Sequence, residues 1–406
     1  MLNASTNALQ DPNRRRLFIG MLLVAGIICV GALWKVASSS DLGEGDFTAY
    51  WSAAYLVHQG QSPYDQPSMM EVQHTLTNLS VGTITAWNPP TLFVFLLPLG
   101  WLPFFTAKSV WFVANVIMLL AIAVMLTRLY LPPRPLLIAA FCVFVVLLPQ
   151  ALLGVAMGQV TFLVVLGVVT SLTLIKREQW FWAGFALILT TIKPHLVILV
   201  IPYLLLYALY RRRWQLWLGL FCAGLLCMII LFVFRPPWII DLAGILHIAP
   251  VNWATPTIGG FLSFFHITEI MRYLFVIFLP LAWFLSRPQV TMPVEAVVAL
   301  LIILTVPTTF FGWSYDQTIL TIPIAQLFGW LAASSRNSTK IAGVAAILIV
   351  TLLTWSHRIL TTSDVYYVWI PLAWAAVYGV YFIARALNVE STTAQIGIGQ
   401  GALKPQ

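Results

Sequence analysis

Residues 14–51 read RRRLFIGMLLVAGIICVGALWKVASSSDLGEGDFTAYW, and their order decides the class of this chain. Three arginines precede an apolar run that is long enough to cross a bilayer as a helix, which takes roughly 20 residues. Trp34-Lys35 follows without a small-residue cleavage site, so the run is a retained span and not a leader. An acidic, glycine-broken segment comes next, with Asp41, Glu44 and Asp46. Basic residues before a span and acids after it are the pattern of a cytoplasmic N-terminus and an outer loop.

The rest of the chain extends that frame. Of its 406 residues, 60% are hydrophobic and only 8% charged, whereas a soluble surface needs roughly a quarter. A soluble enzyme, a disordered chain and a secreted disulfide scaffold are excluded. The net charge of +8 does not indicate a nucleic-acid partner, because the basic residues sit singly or in short clusters between apolar runs. Cys29, Cys142, Cys222 and Cys227 lie inside apolar runs without disulfide or zinc spacing.

An all-α polytopic membrane protein follows, with about 12 transmembrane helices. The expected spans are 17–37, 106–127, 136–153, 159–175, 180–192, 195–210, 214–235, 272–286, 293–312, 317–333, 340–357 and 365–385. With both termini inside, fifteen of the twenty-one basic residues fall in cytoplasmic segments and nine of the thirteen acids outside, as the positive-inside rule requires. The organisation is a cytoplasmic N-terminus at 1–16, one membrane domain at 17–386 and a disordered cytoplasmic tail at 387–406. Two long extracytoplasmic loops, 38–87 and 236–271, interrupt the membrane domain. Residues 88–103, apolar but bounded by prolines, read as a re-entrant or interfacial hairpin. Within the first loop, Phe47, Tyr50, Trp51, Ala54 and Val57 predict an amphipathic helix over 46–58 lying on the membrane, with a second short helix after Asp65.

The polar groups that could carry chemistry gather on the outer side. Asp46 follows a glycine and opens a helix, so it reads either as an N-cap or as a general base for a hydroxyl. Asp65, before Pro67, favours a cap. Asn88, beside Pro89-Pro90, either lines a cavity or caps a turn. Gln159 interrupts an apolar stretch. Lys193, in Lys193-Pro194-His195, is a cation where a proline opens the backbone, suited to a phosphate or to snorkelling. Asp316, in Trp313-Ser314-Tyr315-Asp316-Gln317, caps a helix or faces a shared cavity. No nucleotide loop, nucleophile elbow or metal-ligand spacing is present, so no cofactor is called for, although Asp46 and Asp65 together could hold a metal.

In order, Asp46-Phe47 with Tyr50-Trp51, Gly60, Pro63-Tyr64-Asp65, Asn88-Pro89-Pro90, Leu97-Pro98-Leu99, Gly158-Gln159, Lys193-Pro194 and Ser314-Tyr315-Asp316-Gln317 form a set. In this set the chain resembles glycosyltransferase family 87 (GT87), polyprenol-phosphate-sugar-dependent enzymes of the GT-C fold that include phosphatidylinositol mannoside mannosyltransferases. The resemblance implies an essential acid in the first extracytoplasmic loop, which maps to Asp46. It implies a sugar donor, mannose foremost, on a polyprenyl phosphate, and a glycolipid or cell-envelope glycan acceptor, at the outer face of a bacterial inner membrane. One carboxylate then suffices for inverting displacement, whereas retention needs a second one roughly 5 Å away. Lys193, His195, His266 and Arg272 are the expected phosphate-binding residues. Tyr50, Trp51, Tyr64, Asp65, Asn88, Gln159, Tyr315 and Asp316 are the expected substrate contacts. The competing reading is a transporter or lipid flippase; such proteins show internal repeats and midplane binding groups, and no repeat is visible here.

Overall fold

The computed structural model describes residues 12–37, 45–77, 82–248, 253–361 and 363–400, and among these there is no strand. The first half contains α1 (Pro12–Ala37), α2 (Asp46–His58), α3 (Gln66–Leu76), α4 (Thr91–Gly100), α5 (Phe104–Tyr130), α6 (Pro135–Val146), α7 (Pro149–Ala156) and α8 (Thr161–Lys176). After α9 (Trp180–Ala186) the chain runs through two 3₁₀ segments, Leu187–Ile192 and Pro194–Val197, into α10 (Val200–Tyr210) and α11 (Trp214–Phe234). The remainder comprises α12 (Trp238–Ile248), α13 (Ile258–Phe264), the 3₁₀ segment Ile270–Phe278, α14 (Leu279–Leu285) and α15 (Val294–Thr308). It ends with the 3₁₀ segment Ser314–Leu320, α16 (Thr321–Ala333), α17 (Asn337–Leu360), the 3₁₀ segment Asp364–Val368 and α18 (Trp369–Gln400). The last helix runs on into the stretch expected to be a disordered tail.

Among the described residues, four helical segments are long and apolar enough to cross a membrane: α5, α11, α17 and Asp364–Ala386. The bent pair α6 and α7 makes a fifth if taken as one span, with an angle of 52° at Pro149. The expectation of twelve crossings counted shorter runs as well, and most of the remaining expected spans are apolar helices of 10–17 residues, such as Thr161–Lys176, Val200–Tyr210 and Val294–Thr308. Proline removes a backbone donor and clashes with the preceding turn. At Pro149 and Pro194, apolar runs are divided into shorter pieces. α5, α11 and α17 turn apolar stripes outward, such as Val113, Ile117, Leu120 and Val124 on α5, as lipid contact requires.

Close backbone contact holds the pair α9 and α11 together. A Cβ added at Gly184 would lie 1.9 Å from the Leu216 carbonyl oxygen, and one added at Gly219 would lie 1.9 Å from that of Phe181. Small residues allow such approach where lipid offers no hydrophobic drive between helices. Gly219→Val should lower the Tm in detergent by more than ordinary overpacking, which costs about 1–3 kcal/mol, because the obstacle is backbone. A wild-type Tm would show that this contact does not hold the pair.

The first loop departs from the expectation. Asp41 and Glu44 lie outside the described residues. α2 is not a helix with one covered face and one open one: ten of its thirteen residues are buried within the protein. The stripe that predicted one covered face, Phe47 to Val57, is only part of what is covered. Ala49, Ser52 and Ala53 are small enough to admit neighbours on the other sides. α4, at ten residues about 15 Å long and too short to cross, packs on α2 so closely that a Cβ on Gly100 would meet the Ala54 backbone at 2.9 Å. Gly60, at φ +68°, ends the turn after α2, and α3 follows the Asp65 cap as expected.

Candidate active site

Asp46 is the first residue of α2, but it is not the cap. Gly45 takes that place, and no side chain caps the helix. The helix start is tied instead to the turn between α7 and α8, where the Phe47 N–H donates to the Met157 carbonyl at 3.2 Å. Gly158 in that turn has φ +66°, and an added Cβ would lie 2.6 Å from Phe47 Cβ. Only glycine meets both demands. Its carbonyl accepts from the Trp111 indole at 2.7 Å. This turn seats the fully buried Gln159 beside the Asp46 carboxylate.

From there a polar network joins four separate parts of the chain. The Gln159 amide N–H donates to Asp46 Oδ2. Its Oε1 accepts from Lys193 Nζ at 2.9 Å and from the Tyr50 hydroxyl at 3.3 Å. Lys193 also donates to Asp316 Oδ1 at 2.7 Å and to Thr161 Oγ1 at 3.2 Å. Thr161 donates to Asp316 at 2.5 Å, and the Trp313 N–H donates to the other Asp316 oxygen at 3.0 Å. The Tyr315 ring lies under the Lys193 ammonium, 4.9 Å from the centroid. Gln159, Lys193, Asp316, Tyr50 and Thr161 are all buried, whereas Asp46, Tyr315 and Trp313 keep partial exposure. The open edge of the network is therefore the Asp46–Tyr315 side.

The surroundings separate the two carboxylates electrostatically. Burial pushes the Asp46 carboxyl above its ordinary value, and this outweighs the pull of Lys193, Tyr315 and Gln159. Burial acts on Asp316 in the same sense, but Lys193 and His195 beside it and the donors on its oxygens hold it below the usual carboxylate range. One group is a stronger base than free aspartate; the other is a fixed anion paired with a cation. Such divergence within a site separates acid–base groups from structural ones.

Sequence reasoning named Asp46, Tyr50, Gln159, Lys193, Tyr315 and Asp316, and the fold brings these six together. It missed Thr161, whose only signal is a hydroxyl two residues after Gln159. It also missed the aromatic row Trp87, Trp253 and Trp313, with centroids 6.3 and 5.5 Å apart, which continues to Tyr315 at 6.5 Å. The other named residues make no hydrogen bond to the network. Asp65 caps α3 through Ser68, at 3.0 and 2.6 Å. No group of three or more His, Cys, Asp or Glu suited to a metal occurs among the described residues. Trp51 donates to the Leu99 and Leu102 carbonyls, and Tyr64 to that of Asn88 at 2.7 Å, so both brace α4 and its entry. Asn88 donates to the Ile192 carbonyl at 3.2 Å, fastening the double-proline entry to the break at Lys193. His266 sits exposed at φ +56°. His195 is buried, stacked on Phe311 at 4.1 Å, with Nε2 unpartnered. Arg272 is 3% exposed, donates to the Trp253 and Phe310 carbonyls and has an unpartnered Nε.

A cavity of about 530 Å³ lies elsewhere, lined by Lys176, Trp180, Tyr207, Arg211 and Arg213 among others. Lys176 ends α8 and Thr161 begins it, so this basic end is about 24 Å from the network.

A family model described as glycosyltransferase family 87 matches residues 85–303, more than half of the chain. No curated protein and no solved structure matches. The matched stretch contains Gln159, Lys193 and Arg272, while Asp46 and Asp316 lie on either side of it.

Proposed function

The chain belongs to glycosyltransferase family 87 and is a membrane glycosyltransferase; from that premise we propose that Asp46 is the general base of an inverting transfer from a polyprenyl-phosphate sugar, mannose foremost. The observation that carries this is the pair of unlike carboxylates: Asp46 partly exposed at the open edge and held by Gln159, Asp316 buried and locked to Lys193. Asp46 takes the proton of an acceptor hydroxyl as its oxygen attacks the anomeric carbon. The bond from that carbon to the phosphate oxygen breaks, and its electron pair leaves with the polyprenyl phosphate. Asp46 then releases its proton to water. Asp316 is not free to be a nucleophile, which favours one displacement over two. The basic segments at the Lys176 end support an outward-facing site, open to a flipped lipid donor and to a glycolipid or envelope glycan acceptor in a bacterial inner membrane.

The leaving phosphate gathers charge and calls for a cation. Lys193 was the natural candidate from sequence, but all three of its N–H groups are committed. Arg272 fits better. It forms no ion pair among the described residues, and its Nε has no partner. Trp253, whose carbonyl it holds, packs on Trp313 toward Tyr315. Arg272→Ala should raise the donor KM by about tenfold or more, the loss of a charged hydrogen bond; an unchanged donor KM removes Arg272 from the phosphate site.

The experiment for the function itself uses purified protein in lipid with a panel of radiolabelled polyprenyl-phosphate sugars and a membrane-lipid acceptor pool. Labelled glycolipid or glycan should form from one donor. Lipid-linked sugar that crosses the bilayer unchanged, with no new glycosidic product, would favour the flippase reading.

A further inference from the structure

We propose that Lys193, backed by Asp316, is a positioning residue that fixes the polarity of the Gln159 amide and so the hydrogen bond that Asp46 receives. The inference rests on the reading of Asp46 as the base.

An ammonium can only donate, whereas an amide has one donating and one accepting end. Lys193 and the Tyr50 hydroxyl both point donors at Gln159 Oε1. The NH₂ end is thereby turned to Asp46 Oδ2. A flipped amide would set N–H groups against the ammonium and oxygen against the carboxylate and would lose both of those bonds, while the Tyr50 hydroxyl could turn to accept instead. Gln159 is 0% exposed and Lys193 5%, so water cannot stand in for the lost partners. Lys193 is in turn immobilised, because Asp316 and Thr161 take its other two N–H groups and Asp316 is anchored by the Trp313 N–H. The series Asp316–Lys193–Gln159–Asp46 thus joins the start of α2, the turn after α7, the break after α9 and the start of the 3₁₀ segment before α16.

The same arrangement controls when Asp46 is ionised. Lys193 favours the carboxylate, Asp316 disfavours it, and Gln159 donates to it; Tyr315 faces Lys193 beside it, and Tyr50 stands one turn along α2. Of the helices packed on α2, α4 has no titratable side chain, α3 has exposed Glu71 and His74, and α5 has Lys108, whose ammonium lies 6.0 Å from the Phe104 ring centroid.

Lys193→Met should therefore move the acid limb of kcat/KM to higher pH by about one unit or more, since an opposite charge nearby lowers a carboxyl by 1–3 units. The deficit should shrink as pH rises, and donor KM should stay within about threefold of wild type. In a Gln159→Met background, Lys193→Met should change kcat much less than it does alone. If Lys193→Met does not fold, Lys193→Met with Asp316→Asn removes both buried charges together and is measured instead. A pH-independent loss with a raised donor KM would make Lys193 a phosphate anchor and overturn the inference, as would a wild-type acid limb in a folded variant. Asp46→Asn, assayed alongside, separates the two ideas. If it is active, the base reading fails; if it is inactive while the limb of the Lys193 variants stays fixed, only the positioning role fails.

Discussion

Asp46→Asn is expected to abolish sugar transfer, by 10²-fold at the least and about 10⁴-fold if Asp46 supplies the whole of the base catalysis, while the protein stays folded. The two halves of that result have separate causes. Asn cannot take a proton, so the acceptor hydroxyl must attack unassisted. Its amide oxygen can still accept from Gln159, so the polar network survives. Stability should be unchanged or slightly higher. Burial raises the Asp46 pKa in the folded protein above its unfolded value, so above that pKa the ionised carboxylate costs folding free energy. A neutral isostere relieves this cost, the usual exchange between stability and activity at a built site. Transfer assays and Tm on the same preparation decide it. Activity within tenfold of wild type would end the claim that Asp46 is the base.

Asp316→Ala should have the largest effect on stability, about 3–5 kcal/mol, because it leaves the Lys193 ammonium buried without its anion. The pair is 2.7 Å apart, with the side chains 6% and 2% exposed, far from the conditions in which surface ion pairs are worth little. The loss should appear as a large fall in Tm in detergent or as rapid proteolysis. Replacing both partners, Lys193→Met with Asp316→Asn, should recover most of it, because an uncharged pair needs no counter-ion. A single variant as stable as wild type would show that the pair is solvated and does not hold the site together.

Local pattern already carried much of the site. Asp46 was visible because an acid follows a span and a glycine, and Lys193 because a cation beside a proline interrupts apolar sequence. Gln159 and Asp316 stood out as polar residues at the ends of apolar runs. These signals are local because placing a polar group against lipid is costly wherever it occurs, so each exception marks itself. Their roles were less legible. A lysine near the outer face reads as a phosphate anchor until three acceptors are found around it, and those acceptors come from residues 159, 161 and 316. Asp65 and Asp46 look alike as acids opening helices, yet Asp65 bonds its own helix and Asp46 bonds Gln159, 113 residues away.

The membrane class, the helical content and the family are properties of the sequence alone, because hydrophobic runs and ordered motifs are written along the chain. The tertiary structure decided that α2 is buried, that apolar runs break at prolines into short helices, and that Lys193 is spent on Asp316, Thr161 and Gln159. A periodic stripe records which face of a helix must be covered. It does not record whether small residues on the opposite face will be covered as well, since that depends on partners tens of residues distant.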